Sequence, residues 1–133
     1  MITVVAALIE SDGKLLVCQR RRSDSFGLMW EFPGGKAKPG ESLTQALGRE
    51  LEEELGAKAR IGAEIYRTHH RYAELSEPIE LIFFAASLPS REVQSLAFEQ
   101  IAWREPATLR ELNFLPADHG LIEKLSTGAL RLS

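Results

Sequence analysis

Gly35-Lys-Ala-Lys-Pro-Gly-Glu41, followed eight residues later by Arg49-Glu-Leu-Glu-Glu-Glu-Leu-Gly56, decides how this chain reads. Ser42 and Gln45 have the spacing of a capping box, which satisfies the first free N–H groups of a helix. Leu43, Leu47, Leu51 and Leu55 supply its apolar positions, and Gly56 is a left-handed stop, so a helix is expected over about 42–55. Four acids, Glu50, Glu52, Glu53 and Glu54, fall in its last turns. Residues three and four apart share a helix face, so Glu50, Glu53 and Glu54 converge while Glu52 points elsewhere. Acids near a helix C-terminus repel one another and oppose the macrodipole, at roughly 0.3–1 kcal/mol each when exposed. A cation bound between them removes that cost, and oxygen-only ligands favour Mg²⁺ or Mn²⁺. A solvated acidic face is the plainer reading of the helix alone. The glycine loop before it reverses that judgement.

The pattern G-x5-E-x7-R-E-U-x-E-E-x-G-U, with U a bulky aliphatic, is filled by Gly35, Glu41, Arg49, Glu50, Leu51, Glu53, Glu54, Gly56 and Ala57. Only Ala57 is smaller than the pattern asks, which touches packing rather than chemistry. By these residues the chain resembles a Nudix hydrolase, and Trp30-Glu-Phe-Pro-Gly-Gly-Lys36 resembles the MutT-like nucleotide pyrophosphohydrolases. The resemblance implies an α/β fold, the Nudix α/β/α sandwich, with a mixed β-sheet between helices and the box as loop–helix–loop. It implies hydrolysis of nucleoside triphosphates to a monophosphate and pyrophosphate, with Mg²⁺ as cofactor and Mn²⁺ as a substitute. The leading substrate it implies is 8-oxo-dGTP, in nucleotide-pool sanitation and DNA mutation avoidance. CTP or 5-methyl-dCTP is the alternative, because Pro116-Ala-Asp118 also fits the cytidine-nucleotide members. No motif points to coenzyme A or NADH substrates. Tyr72, 15 residues past Ala57, lies near where diadenosine polyphosphate hydrolases carry a tyrosine, a weak signal in a strand. An inactive Nudix-fold nucleotide sensor is the reading from another class. Such proteins lose box carboxylates, and here none is lost.

At 133 residues the chain is expected to form one domain, 1–133, large enough to bury a core without staples. Hydrophobic content of 44% and charged content of 26% are ordinary for a soluble globular protein. A net charge of −3 argues against a nucleic-acid polymer as partner, because backbone binding needs a basic surface. A small anionic ligand, here a nucleoside triphosphate, is compatible if basic residues are local and a divalent cation offsets the acids. The expected assembly is a monomer or weak homodimer. The single Cys18 excludes an internal disulfide and a cysteine zinc cluster, and its strand setting suits a packed thiol. No apolar run approaches the roughly 20 residues that span a bilayer. The start Met1-Ile-Thr-Val-Val-Ala-Ala-Leu-Ile9 has no basic leader segment, so a cytoplasmic protein without a membrane partner is expected.

Apolar, β-branched runs over 2–10 and 14–20 flank Ser11-Asp12-Gly13, a hairpin signal. A polar loop from Arg20 to Gly27 leads to a short strand at Trp30-Glu-Phe32, which Pro33-Gly-Gly35 is expected to break. Strands are expected over 59–72, 79–87 and 100–103. A helical turn is expected from Pro106 to Leu112, and an amphipathic helix near 119–125. Gly48 inside the first helix costs about 1 kcal/mol relative to Ala, which a close backbone neighbour would explain.

Gly34 and Gly35 let the backbone approach a ligand closely. They join Glu50, Glu53 and Glu54 as candidate metal ligands, the glycines through a backbone carbonyl. Glu41 is either a helix-start carboxylate or an orienter of the site. Arg49, with Glu53 four residues on, is assigned to orienting the carboxylates. Phosphoryl transfer needs positioning and charge stabilisation more than covalent catalysis, so the absence of a nucleophilic triad is consistent. His69 and His70 are strand neighbours pointing to opposite faces, and both read as surface or structural. The resemblance further implies a catalytic or metal-binding Glu99, with looser alignment. It also places Arg20 at the phosphates, in competition with Arg21 and Arg22, and puts Phe32 among the substrate-binding residues. Asp118 would face the base. Ionised, it only accepts, suiting guanine N1–H and N2–H or the cytosine N4 amine; protonated, it also donates, which admits oxidised purines. It could equally cap the last helix.

Overall fold

Strand β1 (Ile2–Ser11) explains the layering. Its apolar run does not alternate with polar residues, as befits a strand covered on both faces. Ala6 and Leu8 point into one core, with Phe83, Phe114 and Leu121. Val5, Ala7 and Ile9 point into the other, with Leu47, Leu51, Leu55 and Phe84. In this computed structural model, which describes residues 1–132, β1 is followed by β2 (Lys14–Gln19), β3 (Trp30–Glu31), β4 (Gly34–Lys36), α1 (Leu43–Leu55), β5 (Arg60–His70), β6 (Ile79–Ser87), β7 (Gln100–Arg104) and α2 (His119–Thr127). Short 3₁₀ turns span Pro106–Glu111 and Pro116–Asp118.

The sheet is mixed. β1 runs parallel to β6 from Ile2↔Ile79 to Ile9↔Ala86, and β6 pairs antiparallel with β5. The end of β1 turns through Asp12 and Gly13 into β2, which pairs with β3 and β7. One core lies under α1 and the other under α2, so the expected α/β/α sandwich is the architecture found.

Several expectations are corrected. The strand beginning at Trp30 does stop before Pro33, at Glu31 rather than Phe32, but Gly34 and Gly35 are themselves strand: Gly34–Lys36 forms β4 antiparallel to β1. A Cβ on Gly34 would stand 2.0 Å from the Val5 carbonyl oxygen, so only glycine permits that approach. β5 ends at His70 rather than 72. The last helix is longer than its apolar positions indicated, running to Thr127 with Gly128 as its left-handed cap. Gly48 faces open space, so no neighbouring backbone accounts for it.

Candidate active site

Capping sets the register of α1, and the register sets the acids. The Gln45 N–H donates to Ser42 Oγ at 3.1 Å, the Ser42 N–H donates to Gln45 Oε1 at 2.9 Å, and Gly56 closes the helix at φ 67°. Ala46, Leu47, Leu51 and Leu55 bury the opposite stripe. Glu50 and Glu54 are thereby turned toward β4, while Glu52 is exposed.

The glycines of β4 receive the acids. The Gly34 N–H donates to Glu54 Oε1 at 3.0 Å. A Cβ on Gly35 would lie 2.5 Å from the carboxyl carbon of Glu50, so the missing side chain makes room for that acid. Arg49 holds the remaining members. Its Nε and Nη2 donate to both oxygens of Glu41 at 2.7 and 2.9 Å. Nη1 donates to Glu50 at 3.0 Å and weakly to Glu53 at 3.4 Å, and Nη2 donates to the Lys36 carbonyl at 3.1 Å. Glu41 is thus an orienter of Arg49, and that guanidinium, helped by the Lys38 N–H, holds its pKa down at about 2. Glu54 is the opposite case: burial first, then the charges of Glu31 and Glu50, push it up to about 8.

Among the described residues, no three acid, histidine or cysteine side chains already stand close enough to hold a metal ion. Glu50 and Glu53 lean on Arg49, Glu54 leans on Gly34, and their mutual repulsion opposes closer approach. The donor set still fits a hard divalent cation. The donors are all oxygens, and the excess negative charge that raises Glu54 is what such an ion would neutralise.

Glu54, Gly34 and Gly35 open onto a cavity of about 300 Å³ that also takes in Arg20, Phe32 and Asp118. The structure thus brings together residues spread from the second strand to the last helix. Asp118 is 3% exposed, and burial, with the nearby Glu31 charge, pushes its carboxyl well above the usual range. It stands at the N-cap position of α2 but makes no capping hydrogen bond, so the capping alternative fails. Phe32 is both core and cavity wall, edge-on to Phe83 at 5.9 Å. Arg20 reaches the cavity already engaged: Nη1 donates to both Glu31 oxygens at 3.1 and 3.2 Å, and Nε donates to the Ser25 carbonyl at 2.7 Å.

Glu99 is not among the residues of that cavity. It lines a neighbouring one with Arg21, Arg22, Ser23 and Phe98. His69 donates or accepts at Glu80, 3.2 Å away, and the His70 ring packs 4.4 Å from Tyr72; neither lines the site. Cys18 is fully buried and its thiol is pushed up by burial, as a packed thiol should be. Glu31, Tyr72 and Phe26 line the cavity and had no motif to mark them as a group. Glu31 opens the stretch Glu-Phe-Pro-Gly-Gly, and only its pairing with Arg20 distinguishes it. Tyr72 lies just past the end of β5 rather than in a strand. Its hydroxyl oxygen accepts from the Ala117 N–H at 3.1 Å, which anchors the turn carrying Asp118.

The fold and this site define the class. The NUDIX domain family model matches residues 1–125, and the chain belongs to the Nudix family. It is 44% identical over 130 residues to a CTP pyrophosphohydrolase of Escherichia coli (strain K12), covering 92% of this chain and 90% of that protein. It is 33% identical over 126 residues to an 8-oxo-dGTP diphosphatase of Haemophilus influenzae, covering 94% and 91%. The solution structure of the E. coli ORF135 protein superposes with a TM-score of 0.78 at 36% identity, over 99% of this chain and 91% of that one. Nudix hydrolases generally use divalent metal ions.

Proposed function

We propose that the protein is a Mg²⁺-dependent nucleoside triphosphate pyrophosphohydrolase that releases a nucleoside monophosphate and pyrophosphate, with 8-oxo-dGTP as its leading substrate. One observation carries this reading: the box acid Glu54 and the buried Asp118 line the same cavity, one suited to a cation that would hold phosphates and the other to a base edge. The names of the relatives, all hydrolases of nucleoside triphosphates, support it.

Glu50, Glu53 and Glu54 would hold the metal, with the Gly34–Gly35 backbone beside them. Bound Mg²⁺ neutralises the phosphate chain, polarises phosphorus and lowers the pKa of a water. Arg49 positions Glu50 and Glu53. Glu53 is the most loosely held box acid and suits accepting a proton from the attacking water. Arg20, fixed by Glu31, presents charge at the cavity wall for the phosphates. Burial pushes the Asp118 carboxyl toward its protonated form, and in that form it offers one donor and one acceptor to the base. That pair matches the N1–H and O6 edge of an oxidised guanine.

It equally matches N3 and N4 of cytosine, and the 44% identity to a CTP pyrophosphohydrolase favours CTP or 5-methyl-dCTP as the second reading. Hydrolysis with Mg²⁺ of canonical, oxidised and methylated nucleoside triphosphates, beside ADP-ribose and with the products identified, tests both. The reading stands if 8-oxo-dGTP or CTP has the highest kcat/KM. It falls if ADP-ribose leads the panel or nothing is turned over.

A further inference from the structure

The loop between β2 and β3 carries an aromatic ring on a backbone that suits glycine. Phe26 has φ 55° and Leu28 φ 67°, both in the left-handed region that non-glycine residues avoid. The conformation is held from outside: the Leu28 N–H donates to the Arg20 carbonyl at 3.0 Å, Arg20 Nε donates to the Ser25 carbonyl, and Gln19 Nε2 donates to the Leu28 carbonyl at 3.0 Å. Strain that neighbouring groups enforce marks places where geometry serves function. Here the result is one half-buried ring on a loop otherwise largely exposed from Arg21 to Gly27. The ring lines the cavity, 5.0 Å from Tyr72 and tilted 52° to it. Tyr72 is itself fixed by the Ala117 N–H, next to Asp118.

We propose that Phe26 is a specificity-determining residue, the aromatic wall on which the substrate's base stacks while Asp118 reads its edge. The inference rests on the nucleotide reading of the cavity and adds to it the residue that senses the base's π-face. A base offers an apolar face and a polar rim, and the cavity supplies both kinds of partner within one wall: the Phe26 and Tyr72 rings, then the Asp118 carboxyl. Arg20 couples the two ends of the substrate, because the guanidinium that stitches the Phe26 loop also faces the cavity.

Phe26→Gly relaxes the backbone but gives up the ring's packing against Tyr72, whereas Phe26→Leu keeps apolar bulk there without a π-face, so the two together separate packing from stacking. Stacking of this kind predicts a KM raised roughly 5- to 150-fold for nucleoside triphosphates in both variants, with kcat little changed. Hydrolysis of a base-free pentose 5-triphosphate is unaffected, and Phe26→Trp recovers the wild-type KM. Calorimetric binding of the nucleoside monophosphate in metal-free buffer gives a readout independent of turnover and weakens by the same factor. Equal losses on the base-free substrate, or unchanged nucleotide binding, overturn the proposal and leave Phe26 a packing residue. A wild-type protein that neither binds nor hydrolyses any nucleotide overturns the functional reading, and this inference with it.

Discussion

Gly35 and Glu50 occupy space that cannot be shared: a Cβ on residue 35 would meet the Glu50 carboxyl group at 2.5–2.7 Å. The backbone of Gly35 is not in the left-handed region, and its clash is with the end of a flexible side chain. Gly35→Ala is therefore expected to fold, with a melting temperature near wild type, but with Glu50 displaced and turnover down by at least tenfold. Gly34→Ala is the contrast. Its Cβ would strike the Val5 backbone at φ 154°, so this variant should be severely destabilised. Melting curves beside Mg²⁺-dependent rates check the pair; equal melting temperatures would remove the steric argument.

Glu53→Gln should lower turnover by orders of magnitude with the fold intact. Glu53 is half exposed and touches Arg49 only at 3.4 Å, so its loss removes little structure. In metal-free buffer its stability should be unchanged or higher, because like charges surround it. Glu52→Gln, on the exposed side of α1, is the control and should be nearly silent. A near-wild-type rate for Glu53→Gln in Mg²⁺ would defeat its metal assignment.

The metal-free protein should lose stability as pH rises from about 4.5 to about 8. The folded pKa of Glu54 lies above its value in the unfolded chain, so folding takes up a proton there. That stabilisation is complete below the unfolded value and is lost as pH climbs through the folded one. Asp118 and Glu31 are shifted in the same direction. The expected fall in melting temperature across this window is roughly 5 °C or more, reduced in Glu54→Gln and reversed by saturating Mg²⁺. A flat profile for the wild-type protein without metal would show that Glu54 ionises freely.

Asp118→Asn should change the ranking of nucleotides. A neutral acid presents one donor and one acceptor, and an amide presents two donors and an acceptor with a different reach. A mispaired buried group costs about 1–3 kcal/mol, or roughly 5- to 150-fold in kcat/KM for the affected base. Because Asp118 makes no cap, stability should hold at low pH and rise at high pH, where burying a carboxylate is costly. Steady-state kinetics on guanine and cytosine nucleotides, with melting curves, settle it; an unmoved ranking takes Asp118 out of base reading.

Local interactions were legible in the sequence by itself. The ends of α1, its leucine stripe, the outward turn of Glu52 and the contacts of Arg49 with Glu50 and Glu53 all follow from spacing along one helix, where geometry is nearly fixed. The paired strands followed from apolar periodicity, and the sandwich from the box. Tertiary structure alone decided the rest, because those contacts join residues far apart in the chain. Three glycine-rich residues became β4 only because β1 lay beside them. Asp118 lost its capping role because packing buried it against the cavity, and Arg20 was claimed by Glu31 across two strands. Tyr72 gained meaning from a backbone N–H 45 residues away. Spacing encodes what one helix presents; which strands, loops and acids meet it depends on burial of two cores, a property of the whole chain.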